Sequence, residues 1–428
     1  MEVVNDYMHH LHGSGLYPDK FICHQKQGNQ VEIEEAATGR RHKVLTFCTN
    51  DVLGMAQAES VKQAAIDAIM HYGTSNSSCS VLSGRIDLHR QLEQEISEFK
   101  HLPHTHLFLN AWMALQALMD GFCHLAVPVP GFRHTRETLI FTDVLNHGCI
   151  ISAVANASNR SGKLFGHSPK VRVKAYRHCD MDDLARKLKR YARPDDRIMV
   201  ISDAVFSMDG DVVPLPEMLD IMEAYPGSVI VMDEAHASGA IGPKGEGIYD
   251  HFGITPQSVL DRGMVPLIMT TFSKFAGSAG AAISAFNWEL IDLLDVSPTS
   301  IGTISLPPPV TAAALESIRQ VRQHPEKVQK LQANTRYLRS RLVEAGFEAI
   351  GETNVIPVIL PEDLEPKAFA RCLMEEFGLW VSPIWFIARP RLRITANVLH
   401  TQEEMDRLVD TMCLVRKRIG ASMVQCTA

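Results

Sequence analysis

Several features that point to particular protein classes are missing from this sequence. It contains no C-x-x-C pair and no grouping of cysteine and histidine with the spacing of metal ligands. No uninterrupted apolar run reaches about 18 residues, the length that predicts a membrane span. We also find no internal repeat and no low-complexity tract. We therefore expect no structural metal, no membrane span and no repeat architecture.

An excess of basic residues is also missing. The 42 Lys and Arg are outnumbered by 49 Asp and Glu, which gives a formal net charge of −7. Binding to nucleic-acid phosphates needs a basic face, so this balance argues against a nucleic-acid partner. The scattered cysteines are typical of reduced thiols in a cytosolic protein. We expect a soluble cytoplasmic protein.

The length of 428 residues predicts about two or three domains. Residues 1–50 have mixed polarity and are predicted to form an N-terminal arm. Residues 51–305 alternate short apolar runs with helix-period segments, which predicts a large α/β domain with a mostly parallel sheet covered on both faces. The strand candidates are HTHLFL near residue 105, TLIFTD (138–143), RIMVISD (197–203), SVIVMDE (228–234) and VPLIMTT (265–271).

The turn LPPP (306–309) ends this alternation and begins a predicted C-terminal domain, residues 306–428. A charged helical stretch follows, from about Thr311 to Ala345, and the glycine after it is typical of a helix end. Three strand candidates come next, then a final helix opened by Thr401 and acidic residues. This mixture predicts a smaller α+β domain.

Polar residues collect where the predicted strands of the large domain end. They are, in chain order, Asn110 and Trp112, His147, Asp203, Asp233 and His236, and Thr271 and Lys274. Open α/β sheets bind their ligands at the carboxyl ends of the strands. The pattern therefore predicts one site at that edge of the sheet.

Asp233 and Lys274 suit the chemistry of a pyridine aldehyde. A carboxylate that leaves an apolar strand is costly to bury unless a cation pairs with it, and a protonated pyridine nitrogen is such a partner. Lys274 offers an amine for a Schiff base, and the hydroxyl groups of Thr271 and Ser273 can meet phosphate oxygens. On these residues alone, a capping aspartate and a solvated lysine remain alternatives.

Two further features suit the same cofactor. The flat imidazole of His147 can stack on a ring, or it can be a structural histidine. Backbone N–H groups near Asn110 to Met113 can cradle phosphate, or they can belong to an ordinary helix start.

A set of motifs occurs in an order that is typical of one family. The motifs are CTNDVLGMA (48–56), SGRIDLHRQLEQEI (83–96), LFLNAWMALQA (107–117), TDVLNHGCI (142–150), SDAVFSMDGDVVPLPEM (202–218), DEAHASGAIGPKGEG (233–247), TTFSKFAGSAGA (270–281), GTISLPPP (302–309) and PRLRITANVLH (390–400). From about residue 45 to the end, the sequence resembles the α-oxoamine synthases, a family of fold type I pyridoxal-phosphate enzymes. The resemblance implies a large domain around a mostly parallel seven-stranded sheet and a smaller α+β C-terminal domain.

The resemblance also implies a role for each matching residue. Pyridoxal 5'-phosphate would form its Schiff base with Lys274, bond through its ring nitrogen to Asp233, stack under His147, and contact His236 and Ser207 through its phenolic oxygen. Thr271 and the backbone at Ala111 and Trp112 would hold its phosphate, Asn50 would line the substrate side, and Arg393 would bind the carboxylate of the amino acid. For Arg393, a strand-edge surface arginine is the alternative, a role that suits Arg391 better.

The implied reaction joins an amino acid to an acyl thioester, carried by CoA or by an acyl-carrier protein. It releases carbon dioxide, free thiol and an α-amino ketone, with Lys274 removing the Cα proton. A homodimer is expected by the same resemblance. An aminotransferase or lyase of the same fold, and a catalytically silent subunit of a heteromeric synthase, are the alternatives.

The sequence departs from the family pattern at four features. The segment 73–84 contains less glycine than usual, Ala111 stands where glycine is common, and Trp112 is larger than the usual aromatic residue. The segment 123–138 is also longer than usual. These departures leave the amino acid and the acyl chain undetermined.

Overall fold

The computed structural model describes residues 1–14, 17–125, 136–160, 170–385 and 389–426. Most of the segment 123–138 lies outside the described residues. The chain divides into two compact units, one formed by Met1–Thr49 with Ala333–Ala428 and the other by Asn50–Gln332. The predicted boundary between residues 305 and 306 falls within the second unit.

The described residues form strands and helices along both units. The strands are β1 (Phe21–Gln27), β2 (Gln30–Glu35), β3 (Arg41–Thr46), β4 (His104–Phe108), β5 (Thr138–Asp143), β6 (Val171–Tyr176), β7 (Arg197–Asp203), β8 (Val229–Asp233), β9 (Val265–Thr271), β10 (Ala281–Ala285), β11 (Glu348–Ala349), β12 (Val355–Ile359), β13 (Leu379–Trp380), β14 (Ser382–Ile384) and β15 (Arg391–Thr395). The α-helices are α1 (Glu2–Gly13), α2 (Glu59–Tyr72), α3 (Asp87–Lys100), α4 (Ala111–His124), α5 (Gly148–Arg160), α6 (Met181–Tyr191), α7 (Leu215–Met222), α8 (Ile248–Phe252), α9 (Pro256–Asp261), α10 (Trp288–Asp295), α11 (Pro298–Ile301), α12 (Pro308–Gln323), α13 (Glu326–Glu344), α14 (Pro366–Phe377) and α15 (Gln402–Cys426). A 3-10 helix (Met55–Gln57) and a π-helical turn (Ser80–Gly84) complete the regular structure.

The unit Asn50–Gln332 is built around a seven-stranded sheet with the order β4-β10-β9-β8-β7-β5-β6. Strands β6, β5, β7, β8 and β9 pair in parallel, and β10 is antiparallel to both of its neighbours, β9 and β4. Six of the seven strands therefore point in one direction. The predicted mostly parallel sheet is confirmed.

The central strands of this sheet are buried along nearly their whole length. Every residue of β5 and β8 is buried, as is every residue of β7 and β9 except the first. Because successive side chains of a strand point to opposite faces, this pattern requires cover on both faces of the sheet. Apolar residues of α4 and α5 contribute to the core that covers it.

The other unit contains two smaller sheets. One has the order β1-β2-β3-β13, so the predicted N-terminal arm supplies three of its strands. The other has the order β11-β12-β15-β14 and is antiparallel throughout. α14 and α15 contribute buried apolar residues to the same core as β12 and β15.

The predicted helical stretch from about Thr311 to Ala345 consists of two helices. It is broken between α12 and α13 at His324 and Pro325. Proline lacks the N–H that a continuing helix would need, so the chain turns there and a second helix starts. α12 packs against α2 and α3, which places it with the unit that precedes it in the chain.

The final helix begins as its sequence predicts. The Thr401 hydroxyl accepts a hydrogen bond from the Glu404 amide at 3.2 Å, and the Glu404 carboxylate accepts one from the Thr401 amide at 3.1 Å. These reciprocal bonds form a capping box. Within the described ranges, no helix combines the length and apolar character needed to cross a membrane.

Candidate active site

Polar side chains end neighbouring strands of the seven-stranded sheet. Asp143 ends β5, Asp203 ends β7, Asp233 ends β8 and Thr271 ends β9. Asp203 and Asp233 lie side by side in the register of β7 and β8. The parallel strands therefore deliver these groups to the same edge of the sheet, where open α/β sheets bind ligands.

Asp233 is a buried acidic side chain at the end of β8. The residue is only 2% exposed, and its Oδ1 accepts a hydrogen bond from the Ala235 amide at 2.9 Å. Burial raises the pKa of Asp233, and the positive charge of Lys274 opposes that rise. A further cation at this carboxylate would hold it ionised, and a protonated pyridine nitrogen meets that requirement. The Asp233 carboxylate is therefore suited to pair with the ring nitrogen of pyridoxal phosphate.

Lys274 lies half-buried in the turn that follows β9. The turn is closed by a hydrogen bond from the Gly277 amide to the Lys274 carbonyl at 3.0 Å. Burial raises the pKa of both Asp203 and Asp233, and the charge of Lys274 opposes both shifts. The ammonium group of Lys274 is thus within electrostatic reach of both carboxyl groups.

His147 precedes α5 and keeps part of its side chain exposed. Its backbone N–H donates to Asp203 Oδ2 at 2.8 Å, and its Nδ1 lies 2.8 Å from Cys149 Sγ. Partial burial lowers the pKa of the imidazole, which favours the neutral ring. A neutral, partly exposed ring is suited to stacking on a planar ligand.

Asn146 and Asp203 hold the backbone of His147 in place. Asn146 Nδ2 donates to the Ile201 carbonyl at 2.9 Å, and Asn146 Oδ1 accepts from the Asp203 amide at 2.8 Å. Asn146 has no predicted role from sequence, and Asp203 is predicted only from its place at a strand end. The signal for Asn146 was its position directly before His147.

Thr271 and the start of α4 lie on the two sides of the antiparallel strand β10. Ala281 of β10 pairs with Thr271 on one side and with Phe108, the last residue of β4, on the other. Two strand spacings separate these residues by about 10 Å. Thr271 Oγ1 donates to the Gly280 carbonyl at 3.1 Å and lies 3.0 Å from Ser273 Oγ.

Asn110 caps the helix that begins three residues after β4. Its side-chain Oδ1 accepts a hydrogen bond from the Met113 amide at 2.9 Å. Ala111 and Trp112 are the first two residues of this 14-residue helix. Backbone N–H groups at such a position are suited to an anion, so the arrangement fits the phosphate of the cofactor.

His236 and Ser207 lie in the turns that follow two adjacent strands. His236 is three residues beyond Asp233, and Ser207 is four residues beyond Asp203. The Ala204 amide donates to the Asp233 carbonyl at 2.8 Å, which joins the starts of the two turns. The strands thus bring both turns to the edge that carries Asp233.

Asn50 and Arg393 belong to different compact units. Asn50 is exposed at the start of its unit. Arg393 and Arg391 are only 8% and 4% exposed, and their strand β15 runs between β12 and β14. The alternative of a strand-edge surface arginine is therefore wrong for both. The roles of Asn50 and Arg393 toward the substrate stay predictions.

His178, which the sequence analysis did not identify, bridges two carboxylates. Its Nδ1 lies 3.1 Å from Asp143 Oδ1, and its Nε2 lies 2.6 Å from Asp211 Oδ2. Burial favours the neutral ring, but the hydrogen bonds to the two carboxylates outweigh it and raise the pKa of His178 to about 12. Since Asp143 precedes His147 by four residues and Asp211 follows Ser207 by four, the imidazolium ties together two turns of the site.

Replacing His178 with Gln should lower the free energy of unfolding by an amount that depends on pH. The unfolded chain loses the imidazole proton above about pH 6.5, whereas the folded protein keeps it until the pH nears the raised pKa. The contribution of His178 is therefore complete below about pH 6.5 and declines as the pH rises. Urea unfolding at about pH 6 should show a larger difference between wild type and variant than at about pH 8.5. An equal or larger difference at the higher pH would contradict the double ion pair.

Residues 42–412 match the family model described as aminotransferase class I and II. The chain belongs to this family. Its curated relatives include the 8-amino-7-oxononanoate synthase of Fervidobacterium nodosum, which is 30% identical over 426 residues that cover 98% of each chain. The enzyme of the same name from Symbiobacterium thermophilum is 32% identical over 384 residues, which cover 88% of this chain and 90% of that one.

A solved structure shows the same fold over nearly the whole chain. The serine palmitoyltransferase of Sphingomonas wittichii superposes with a TM-score of 0.82 at 23% sequence identity and covers 98% of both chains. This likeness confirms the predicted fold type I architecture. The family model and the curated relatives confirm the predicted α-oxoamine synthase family and its pyridoxal-phosphate cofactor. The curated relatives also confirm the predicted reaction class, a decarboxylative condensation of an amino acid with an acyl group.

Proposed function

We propose that this α-oxoamine synthase uses Lys274 and Asp233 to join an amino acid to an acyl thioester, with loss of carbon dioxide. The observation that carries the assignment is a half-buried amine within electrostatic reach of a buried carboxylate, both at the carboxyl edge of one sheet. The curated relatives are named for an amino-ketone product, 8-amino-7-oxononanoate, and this is the class of product that the proposed condensation forms.

Pyridoxal phosphate, when bound, supplies an electron-withdrawing ring that stabilises a carbanion at Cα of the amino acid. Asp233 keeps the proton on the ring nitrogen, because a buried carboxylate is ionised at lowest cost beside a cation. The amine of Lys274 takes the Cα proton and later returns a proton to the product. His147 orients the ring through its own neutral imidazole.

Other residues hold the ends of the cofactor and of the substrate in this proposal. His236 and Ser207 meet the phenolic oxygen, and Thr271 with the first turn of α4, which contains Ala111 and Trp112, binds phosphate. Asn50 lines the substrate side. Arg393 binds the carboxylate of the amino acid, a task suited to a planar guanidinium.

The proposed reaction releases thiol and carbon dioxide together. Purified protein with pyridoxal phosphate, an acyl-CoA panel and glycine, L-alanine or L-serine should form both in equal amounts. Lys274→Ala should lower the rate by about 100-fold or more, since it removes the general base. Lys189→Ala, which removes an exposed lysine on α6 of the same unit, should leave the rate unchanged.

The alternatives give different products in the same assay. An aminotransferase would form a keto acid without thiol, and a silent subunit would form neither product. Either result with the wild-type protein would contradict the proposal. Supplying the same acyl group on CoA and on an acyl-carrier protein, each in turn, distinguishes the two possible donors.

We also propose that the protein is a cytoplasmic homodimer. One face of α2 supports the dimer, because Ile66, Ile69 and Met70 project from it into solvent, and Met70 is 82% exposed. Residues three and four apart lie on the same side of a helix, so these side chains form one apolar patch. Exposed apolar patches of this kind often mark protein interfaces.

Charges placed in this patch should separate the subunits. The double substitution Ile66→Glu and Met70→Glu puts two carboxylates where apolar side chains would be buried, so light scattering should report half the mass of the wild type. Lys189→Glu on the exposed face of α6 makes the same change in net charge and should keep the wild-type mass. A monomeric wild type, or a double variant of unchanged mass, would contradict a dimer formed through α2.

A further inference from the structure

Lys100 and Glu234 form a fully buried ion pair close to the candidate site. Lys100 is the last residue of α3, and its Nζ donates to Glu234 Oε2 at 2.5 Å. The same ammonium group donates to Ser238 Oγ at 2.7 Å and to the Glu246 carbonyl at 2.6 Å. Its three hydrogens therefore meet three acceptors from one segment of the chain, residues 234–246.

The segment folds around the carboxylate of Glu234. Glu234 Oε1 accepts a hydrogen bond from the Ile248 amide at 2.9 Å, and Oε2 accepts one from Ser238 Oγ at 2.9 Å. Gly247 has a φ of 108°, and a Cβ built there would lie 2.0 Å from Glu234 Oε2. The backbone therefore passes so close to the ion pair that only glycine fits at this position.

The residues proposed to bind the cofactor ring are close in sequence to the partners of Lys100. Glu234 directly follows Asp233, and Ser238 lies two residues beyond His236. The Glu234 amide also donates to the Met269 carbonyl on β9 at 2.9 Å, which attaches the start of the turn to the sheet. His236 thus lies between two residues that bind the same buried cation, and Asp233 directly precedes the first of them.

A buried ion pair is a weak source of net stability, because desolvation of both charges offsets much of their attraction. Burial lowers the pKa of Lys100, and the charge of Glu234 opposes that shift. An apolar pair of similar size could fill the same space. What an apolar pair could not do is hold three hydrogen-bond acceptors of the segment 234–246 around one ammonium group, as Lys100 does.

We propose that Lys100 is a positioning residue, which acts through Glu234 and Ser238 to place Asp233 and His236 against the ring of the cofactor. The proposal rests on the function assigned above to Asp233 and His236. It predicts that loss of Lys100 changes the affinity for pyridoxal phosphate and the electronic state of the bound ring, in addition to any effect on folding.

The test compares Lys100→Met with a control that also breaks an ion pair of the same unit. Arg172→Met is suitable, because Arg172 pairs with Asp196 at 2.6 Å and has no part in the proposed site. Each purified protein is titrated with pyridoxal phosphate, and the visible absorbance of the bound cofactor is recorded across pH. Thermal unfolding without cofactor measures the structural cost of each change.

Lys100→Met should raise the Kd for pyridoxal phosphate by about tenfold or more and shift the pH dependence of the visible band, since small misplacements of binding groups carry large penalties. Arg172→Met should lower the Tm while leaving the Kd within about twofold and the band unchanged. If Lys100→Met has the wild-type Kd and the wild-type band, the positioning role is refuted.

A second variant covers the case in which Lys100→Met does not fold. Glu234→Gln changes the charge but keeps the shape, and the proposal predicts the same shifts in Kd and visible band. Wild-type values for that variant would also refute the positioning role. A wild-type protein that binds no pyridoxal phosphate would instead overturn the proposed function, so the two failures are distinguishable.

Discussion

The cost of burying acidic side chains at the ends of adjacent strands governs this site. Asp203 and Asp233 end two neighbouring parallel strands, and burial raises the pKa of both carboxyl groups. The His147 amide and the charge of Lys274 offset part of this cost. Further out, the fully buried Lys100 pairs with Glu234. The partly buried His178 bridges two more carboxylates, so a cation holds the turns on each side of the site.

Most strands of the large sheet were predictable, because they are rich in apolar residues and end at polar ones. Residues 138–143, 197–203 and 265–271 are strands with the predicted bounds. β6 was not predicted, since its sequence VRVKAY includes two cations, and β10 was not predicted because AAISA is made of small residues. Such strands form because neighbouring strands pair with them, which local sequence does not encode.

Local sequence pattern identified candidate site residues only where they end a strand or closely follow one. Lys274 and Asp233 meet that condition, and topology then brings them to one edge. His178 and Lys100 have partners 33 and 134 residues away, so their pairing depends on the three-dimensional fold. The one local signal for Lys100 is that it follows Ile96 by four residues and so continues the apolar stripe of α3 with a charge.

The proposed chemistry depends on the match between the Asp233 carboxylate and a protonated pyridine nitrogen. Nitrogen-15 NMR of bound pyridoxal phosphate, labelled at the ring nitrogen, reports that proton directly. We expect a protonated ring in the wild type at about pH 8 and an unprotonated ring in Asp233→Asn, because the amide cannot supply the negative charge. An unprotonated ring in the wild type, or the same chemical shift in both proteins, would contradict the account.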